Sequence, residues 1–355
     1  MSDWSNVVRL LEEARNGPSR RRFLSAASAA GLAAVAASVA PPVRAAEGKK
    51  VNIKFGYTAT QTNPVAIGYE HFKNTVNAKS NNAIAVATFC CNQLGSDLDL
   101  IQGAQSGALQ MGTSSNNNLD QFTSKIMVVE LPYLLRSRTA YRKFWQSAAG
   151  QAIHHDFEHK LGLKIVMVMD AGGRRGIETV TKKVRRPGDL KGLKLRIANT
   201  PIEEATFKIW GANPIPMAYN QVFTALQQKT VDGEVLQPLW FYTDKHQEVA
   251  KNICNIHYIS LVHIGVMNLA FFKALPKDYQ ELIMSAGKEA EDFEWKLAGE
   301  ANEKAIKALK ATPGIDFYEP TGAVLQEWES TSRPVWNEFA AKIGPALIKQ
   351  VDALN

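Results

Sequence analysis

The 355-residue sequence has only three cysteines, Cys90, Cys91 and Cys254. An odd number leaves at least one thiol unpaired wherever disulfides form, so no disulfide framework can carry the fold. A bond between adjacent cysteines demands a strained backbone, so all three are expected to be buried, inert thiols. Signatures of catalysis are missing as well. There is no GxSxG nucleophile elbow, no GxGxxG, and no GxxxxGK[ST] phosphate loop. Gly172-Gly173 follows an apolar strand, as a phosphate loop would, but the β-like stretch Ile177 to Thr181 comes next, where a dinucleotide fold requires a helix. His155 and His159 stand four apart with Glu158 between them, yet they do not form HExxH and have no third ligand, so they read as a surface pair and no metal is expected. His246, His257 and His263 are isolated. An enzyme is therefore the weakest of the readings considered, and no cofactor is expected.

Long apolar runs are also missing after residue 45, where no stretch reaches 18 uncharged apolar residues. What is present is the composition of a folded chain, 45% hydrophobic and 21% charged, with length enough for two domains. The net charge is +7, but the first 45 residues hold six arginines against one aspartate and two glutamates. The remainder is too mildly basic to point to nucleic acid. The lysines from Lys182-Lys183 to Lys194 lack interleaved aromatics and read as an exposed loop.

Those first 45 residues read as an export signal. Ser19-Arg20-Arg21-Arg22-Phe23-Leu24 precedes an Ala-rich apolar stretch from Ala26 to Ala40, and Val43-Arg44-Ala45 offers a small-residue cleavage site. Paired arginines followed by Phe-Leu resemble the twin-arginine signal that exports folded proteins. The apolar stretch is short for a membrane span. The expected product is a soluble periplasmic protein cut near Ala45.

The rest alternates strand and helix. Val51 to Tyr57 and Ile84 to Phe89 read as strands, and Leu109 to Thr113 as a third. Between them lie helices opened by Asn63-Pro64 and by Ser96, with Asp97 and Asp99 favouring the positive end of the second. A second block carries strands at Lys164 to Met169 and Leu193 to Ile197, then helices at Pro201 to Trp210 and Gln221 to Gln228. From Pro276 to about Ala311, apolar residues recur at spacings of three and four. That is a rod of roughly 50 Å, long enough to serve two domains. The pattern predicts an α/β protein.

Several ordered motifs then carry a resemblance. They are Asn92-Gln93-Leu94-Gly95-Ser96, Gln110-Met111-Gly112-Thr113-Ser114-Ser115, Leu131-Pro132-Tyr133, Arg186 to Ile197 (RPGDLKGLKLRI), Gly211 to Met217 (GANPIPM), and Val231-Asp232-Gly233. Together they resemble the solute receptors of tripartite ATP-independent periplasmic (TRAP) transporters, of the dicarboxylate-receptor type. The resemblance implies a two-lobed clamshell of α/β lobes with a long helix spanning both, 46–172 plus 262–301 as one lobe and 173–261 plus 302–355 as the other. It implies a receptor that closes on a small organic acid and delivers it to small and large membrane permease subunits, as monomer or homodimer. A same-fold receptor feeding a signalling partner is the alternative.

The same resemblance assigns Arg196, at the end of the DLKGLKxR strand, to the ligand's carboxylate. A guanidinium meets a carboxylate through two parallel hydrogen bonds and keeps its charge. A second family arginine falls near Arg175, or else Arg174, and a pair of arginines would suit a ligand with two anionic groups. Tyr219 falls where relatives place an aromatic residue against the ligand, and Ser115, Asn116 and Thr58 lie where the first lobe faces the cleft. One departure is Leu236, which stands where many relatives carry an asparagine. Gln237 or Trp240 is expected to replace it, over a more apolar pocket floor that favours a ligand with an apolar or aromatic body.

Overall fold

The computed structural model describes residues 50–355, so the export signal and its cleavage site lie outside the described residues. The alternation read from the sequence becomes two mixed sheets. β1 (Val51–Gly56), β2 (Ile84–Phe89), β3 (Met111–Ser115) and β4 (Leu163–Arg174) belong to the first. β5 (Gly176–Thr179), β6 (Lys194–Ile197), β7 (Asn213–Pro216), β8 (Gly233–Leu236) and β9 (Asn252–Cys254) belong to the second. β10 (Ser260–Asn268) then returns to the first sheet, and β11 (Asp316–Tyr318) joins the second. The strand orders are β2-β1-β3-β10-β4 and β11-β9-β5-β8-β6-β7. This is a two-lobed clamshell in which the chain passes from one sheet to the other three times.

Local chemistry sets the helices that matter for the cleft. α1 (Pro64–Lys79) opens on Asn63, whose side chain accepts from the Val65 amide at 3.0 Å. α2 (Asp97–Ser106) opens on a capping box in which Ser96 and Asp99 satisfy each other's backbone amides. It closes on Gly107 at φ 80°, and the Leu109 amide then bonds the Gly103 carbonyl. That turn takes up Leu109 and Gln110, so β3 begins two residues later than the pattern predicts. α3 (Pro201–Ile209) and α4 (Pro238–Thr243) both start with proline, which has no amide to leave unpaired there.

The crossing between lobes runs through Gly172 and Gly173, at φ 77° and 98°. A Cβ at Gly172 would stand 2.1 Å from Leu239 Cδ2, so both space and conformation require glycine. The outgoing and returning chains pair side by side: the Arg175 amide bonds the Ile259 carbonyl at 2.8 Å, and Ser260 sits opposite Arg174. The glycine pair is thus a strand crossing, with no helix behind it to make a phosphate site.

α5 (Lys277–Ala311) is the expected rod. Gly287 brings it so close to β4 that a Cβ would meet the Val166 carbonyl at 2.4 Å. Toward its C-terminal end, Ala301, Ala305 and Leu309 share a core with Leu239 and Phe241 of the second lobe and with Phe55 and Tyr69 of the first. The last long helix, α6 (Gly322–Ile343), buries Trp328 against second-sheet residues and Val335 and Phe339 against helical residues of the first half of the chain. No helix among the described residues is long and apolar enough to cross a membrane.

The cysteines require a correction. Cys90 and Cys91 are joined in a disulfide. The turn after β2 supplies the backbone that such a bond needs, with Cys91 and Asn92 both left-handed at φ 59° and 61°. Cys254 is a buried free thiol in β9, pushed up to about 12 by desolvation.

Candidate ligand-binding site

In open α/β sheets, ligands settle beyond the carboxyl ends of the strands. The first lobe follows that rule: Thr58 lies just past β1, Asp97 begins the helix after β2, and Ser115 ends β3. All three line one small inner chamber. Asp97 accepts from the Thr58 hydroxyl at 3.2 Å and from the Asn118 amide at 3.4 Å. Desolvation pushes its carboxyl up to about 6, against the pull of Thr58 and Arg196.

The second lobe contributes Arg196 from the middle of β6, flanked by Ile215 and Glu234 on neighbouring strands. Its Nε and Nη2 donate to the Met217 carbonyl at 3.0 and 2.8 Å, and its guanidinium lies 5.7 Å from the Tyr219 ring. Nη1 has no partner among the described residues. Burial, with Arg175 nearby, lowers this group to about 10, so it stays cationic at neutral pH.

Arg175 also reaches the chamber but is otherwise engaged. Nη1 donates to Glu203 and Nη2 to the Val235 carbonyl. Glu203 accepts further bonds from Asn117 (3.1 Å), Tyr258 (3.2 Å) and the Ala198 amide (3.0 Å). Arg174 does not line the chamber; it bonds the Arg136 carbonyl at 3.3 Å and lies over Tyr133. Asn116 is likewise turned away, its Oδ1 accepting from the Val262 amide at 2.9 Å. Its neighbours Asn117 and Asn118 face the chamber instead.

Tyr219, Trp240 and His263 form an aromatic wall. Trp240 packs edge-on to Tyr219 at 5.4 Å and stacks on His263 at 4.9 Å, while its indole N–H donates to the Ala171 carbonyl at 2.9 Å. The Tyr219 hydroxyl is held by Asp244 at 2.6 Å. Gln237 is buried beside them, and Leu236 and Leu261 give the floor its apolar character. His263 sits opposite Ser115 in the first sheet, and burial drives its imidazole down to about 3. Its Nδ1 has no partner. Behind the wall, His246 pairs with Glu234 at 2.6 Å.

Asp97 and His263 were not among the residues singled out from sequence. Asp97 reads there as a helix-end charge, although its place after a parallel strand's carboxyl end was a usable signal. His263 hides in the apolar run Leu261 to Met267. His155 and His159 stack at 4.0 Å, away from the chamber, and no metal-binding cluster exists among the described residues.

The inner chamber measures about 40 Å³ and shares Asp97, Asn118 and Tyr219 with an outer space, the mouth, of about 400 Å³. The inner space is roughly that of a carboxylate group or two waters. Thr60 bonds Asp244 across the cleft at 2.7 Å.

Residues 55–343 match the family described as bacterial extracellular solute-binding protein, family 7. The chain is 30% identical to a C4-dicarboxylate-binding periplasmic protein DctP of Rhodobacter capsulatus, covering 94% of this chain and 98% of that one. A TRAP periplasmic solute-binding protein from Shewanella oneidensis, solved with bound succinate, superposes with a TM-score of 0.83 at 26% identity, over 86% of this chain and 99% of that one. A sugar acid binding protein from Advenella mimigardefordensis, in complex with galactonate, also gives 0.83, at 25% identity over 86% and 98%.

Proposed function

The chain belongs to family 7 of the bacterial extracellular solute-binding proteins, and we propose that it is the receptor of a TRAP transporter, anchoring an organic acid through Arg196. The observation that carries this is the unpartnered Nη1 of a buried, cationic Arg196 beside a chamber with room for one carboxylate. The buried guanidinium gains a counter-ion when an acid docks, and exclusion of water strengthens the pair.

Closure brings Thr58, Ser115 and the Asn117-Asn118 pair onto the ligand from the first lobe. We take 46–172 with 262–301 as that lobe and 173–261 with 302–355 as the other; the division of strands between the two sheets supports this. The closed surface then differs from the open one, which lets membrane subunits select loaded receptor. Small and large permease subunits driven by an ion gradient are the proposed acceptors, and the receptor performs no chemistry on its cargo. Export by the twin-arginine route with cleavage near Ala45 completes the reading.

A thermal-shift screen of residues 46–355 tests it, using carboxylates, their amides and neutral sugars. Ligand at a hundred times its Kd adds roughly 2.7 kcal/mol of stability, a shift of several degrees. Shifts with acids but not with their amides are expected. Shifts with neutral solutes alone would overturn the Arg196 anchor.

A further inference from the structure

Two guanidinium groups in one chamber suggest a site for a dianion. The hydrogen bonds alter that count. Arg175 already has a counter-ion in Glu203, a carboxylate held by four donors, Arg175 among them. Arg196 makes no ion pair: Glu234, beside it on β8, is paired with His246, and Asp97 lines the same chamber. With both arginines and both carboxylates ionised, the four groups sum to zero before any ligand arrives. Of the other titratable groups of the lining, His263 is neutral at physiological pH, and Tyr219, raised further by burial, stays a neutral phenol, so neither adds charge.

Position reinforces the count. Asp97, Asn118 and Tyr219 line both the inner chamber and the outer mouth. A ligand whose carboxylate sits at Arg196 therefore passes its body beside Asp97. Beyond it the mouth presents the amides of Asn92, Gln121, Asn199 and Asn220, and its lining contains neither lysine nor arginine. An ionised carboxylate only accepts hydrogen bonds, so Asp97 rewards a hydroxyl and repels a second carboxylate.

We infer that Asp97 is a specificity-determining residue: it accepts a hydrogen bond from a hydroxyl of the ligand and excludes a second carboxylate, so the receptor selects hydroxylated monoacids over the matching diacids. This rests on the acid-receptor reading above. It differs from the dianion that two arginines alone would imply.

Matched pairs in which a terminal CH₂OH replaces a carboxylate provide the test: galactonate with galactarate, threonate with tartrate, 4-hydroxybutyrate with succinate. Calorimetry on residues 46–355 is expected to give at least about tenfold tighter binding of the monoacid in the best-bound pair. Asp97→Asn, which keeps shape and removes charge, is expected to cut that ratio to about threefold or less. Asp97→Ser provides the same readout should the first variant fold poorly. Wild-type protein that binds the diacid as tightly as its monoacid overturns the inference, and so does a ratio unchanged in both variants. If no acid of any pair binds, the selectivity for hydroxylated monoacids fails; the acid-receptor reading falls only if the carboxylate screen above is negative too, and that outcome is distinct because it yields no ratio.

Discussion

Arg175 and Arg196 lie about twenty residues apart, reach the same chamber and are equally buried, yet their surroundings give them different work. Around Arg175 the protein has built a counter-ion site, Glu203 and a backbone carbonyl, on a hinge backbone bonded to Ile259, with Nε alone left without a partner among the described residues. Around Arg196 it has built half of one, two donors on Met217 and a third left open. The first arrangement fits a structural role and the second fits the proposed ligand anchor. What separates the two is the counter-ion: Arg175 is paired with Glu203, and no ion pair is formed by Arg196 among the described residues.

The largest effect should come from breaking the finished pair. Arg175→Met strands the Glu203 charge and is expected to cost about 3–5 kcal/mol of stability, measured by denaturant unfolding; replacing Glu203 by methionine as well should recover much of it. Were Arg175→Met instead to leave stability intact and abolish acid binding, the two arginines would have to exchange roles. Arg196→Ala should do the reverse, losing about 2–5 kcal/mol of acid affinity by calorimetry with a smaller change in melting. Gly172→Ala, which forces a side chain toward Leu239 at a positive φ, is expected to destabilise by about 1–3 kcal/mol without touching the chamber.

The smallest effect sharpens the reading of Asp97. Its folded value of about 6 lies above the ordinary aspartate value of 3.8. Between those two, the folded state keeps a proton that the unfolded state has released, so stability falls as pH rises through this window and stays lower above it. Asp97→Asn lacks that dependence. The melting temperature of the variant relative to wild type should be highest near pH 8 and fall as the pH drops below about 6. A constant difference across that range would place the carboxyl in water.

Much of this was legible in sequence where local chemistry decides. Asn63-Pro64, Ser96 with Asp99, and the spacing along α5 each specify a helix without help from the rest of the chain. The motif also pointed to Arg196, which the fold places in the chamber lining. The remainder depends on contacts between distant segments. β10 lies between β3 and β4 and is buried along nearly its whole length, so it shows no alternation and conceals His263. Arg175 lines the chamber, but that Glu203, 28 residues later, pairs with it shows only in the fold. The bond between Cys90 and Cys91 turned on two left-handed residues that composition does not reveal.

The proposed anchor and the proposed discriminator stand on opposite lobes, Arg196 on the second sheet and Asp97 at the edge of the first. An acid that satisfies only Arg196 is held by one wall of the site and arrives as fast as the right one, but it leaves sooner. Selection is then recorded in residence time rather than in arrival, as is usual for related ligands of one site. In a periplasm crowded with acids, an abundant wrong one occupies this receptor briefly and frees it again, so the traffic it imposes is a delay and not a blockade.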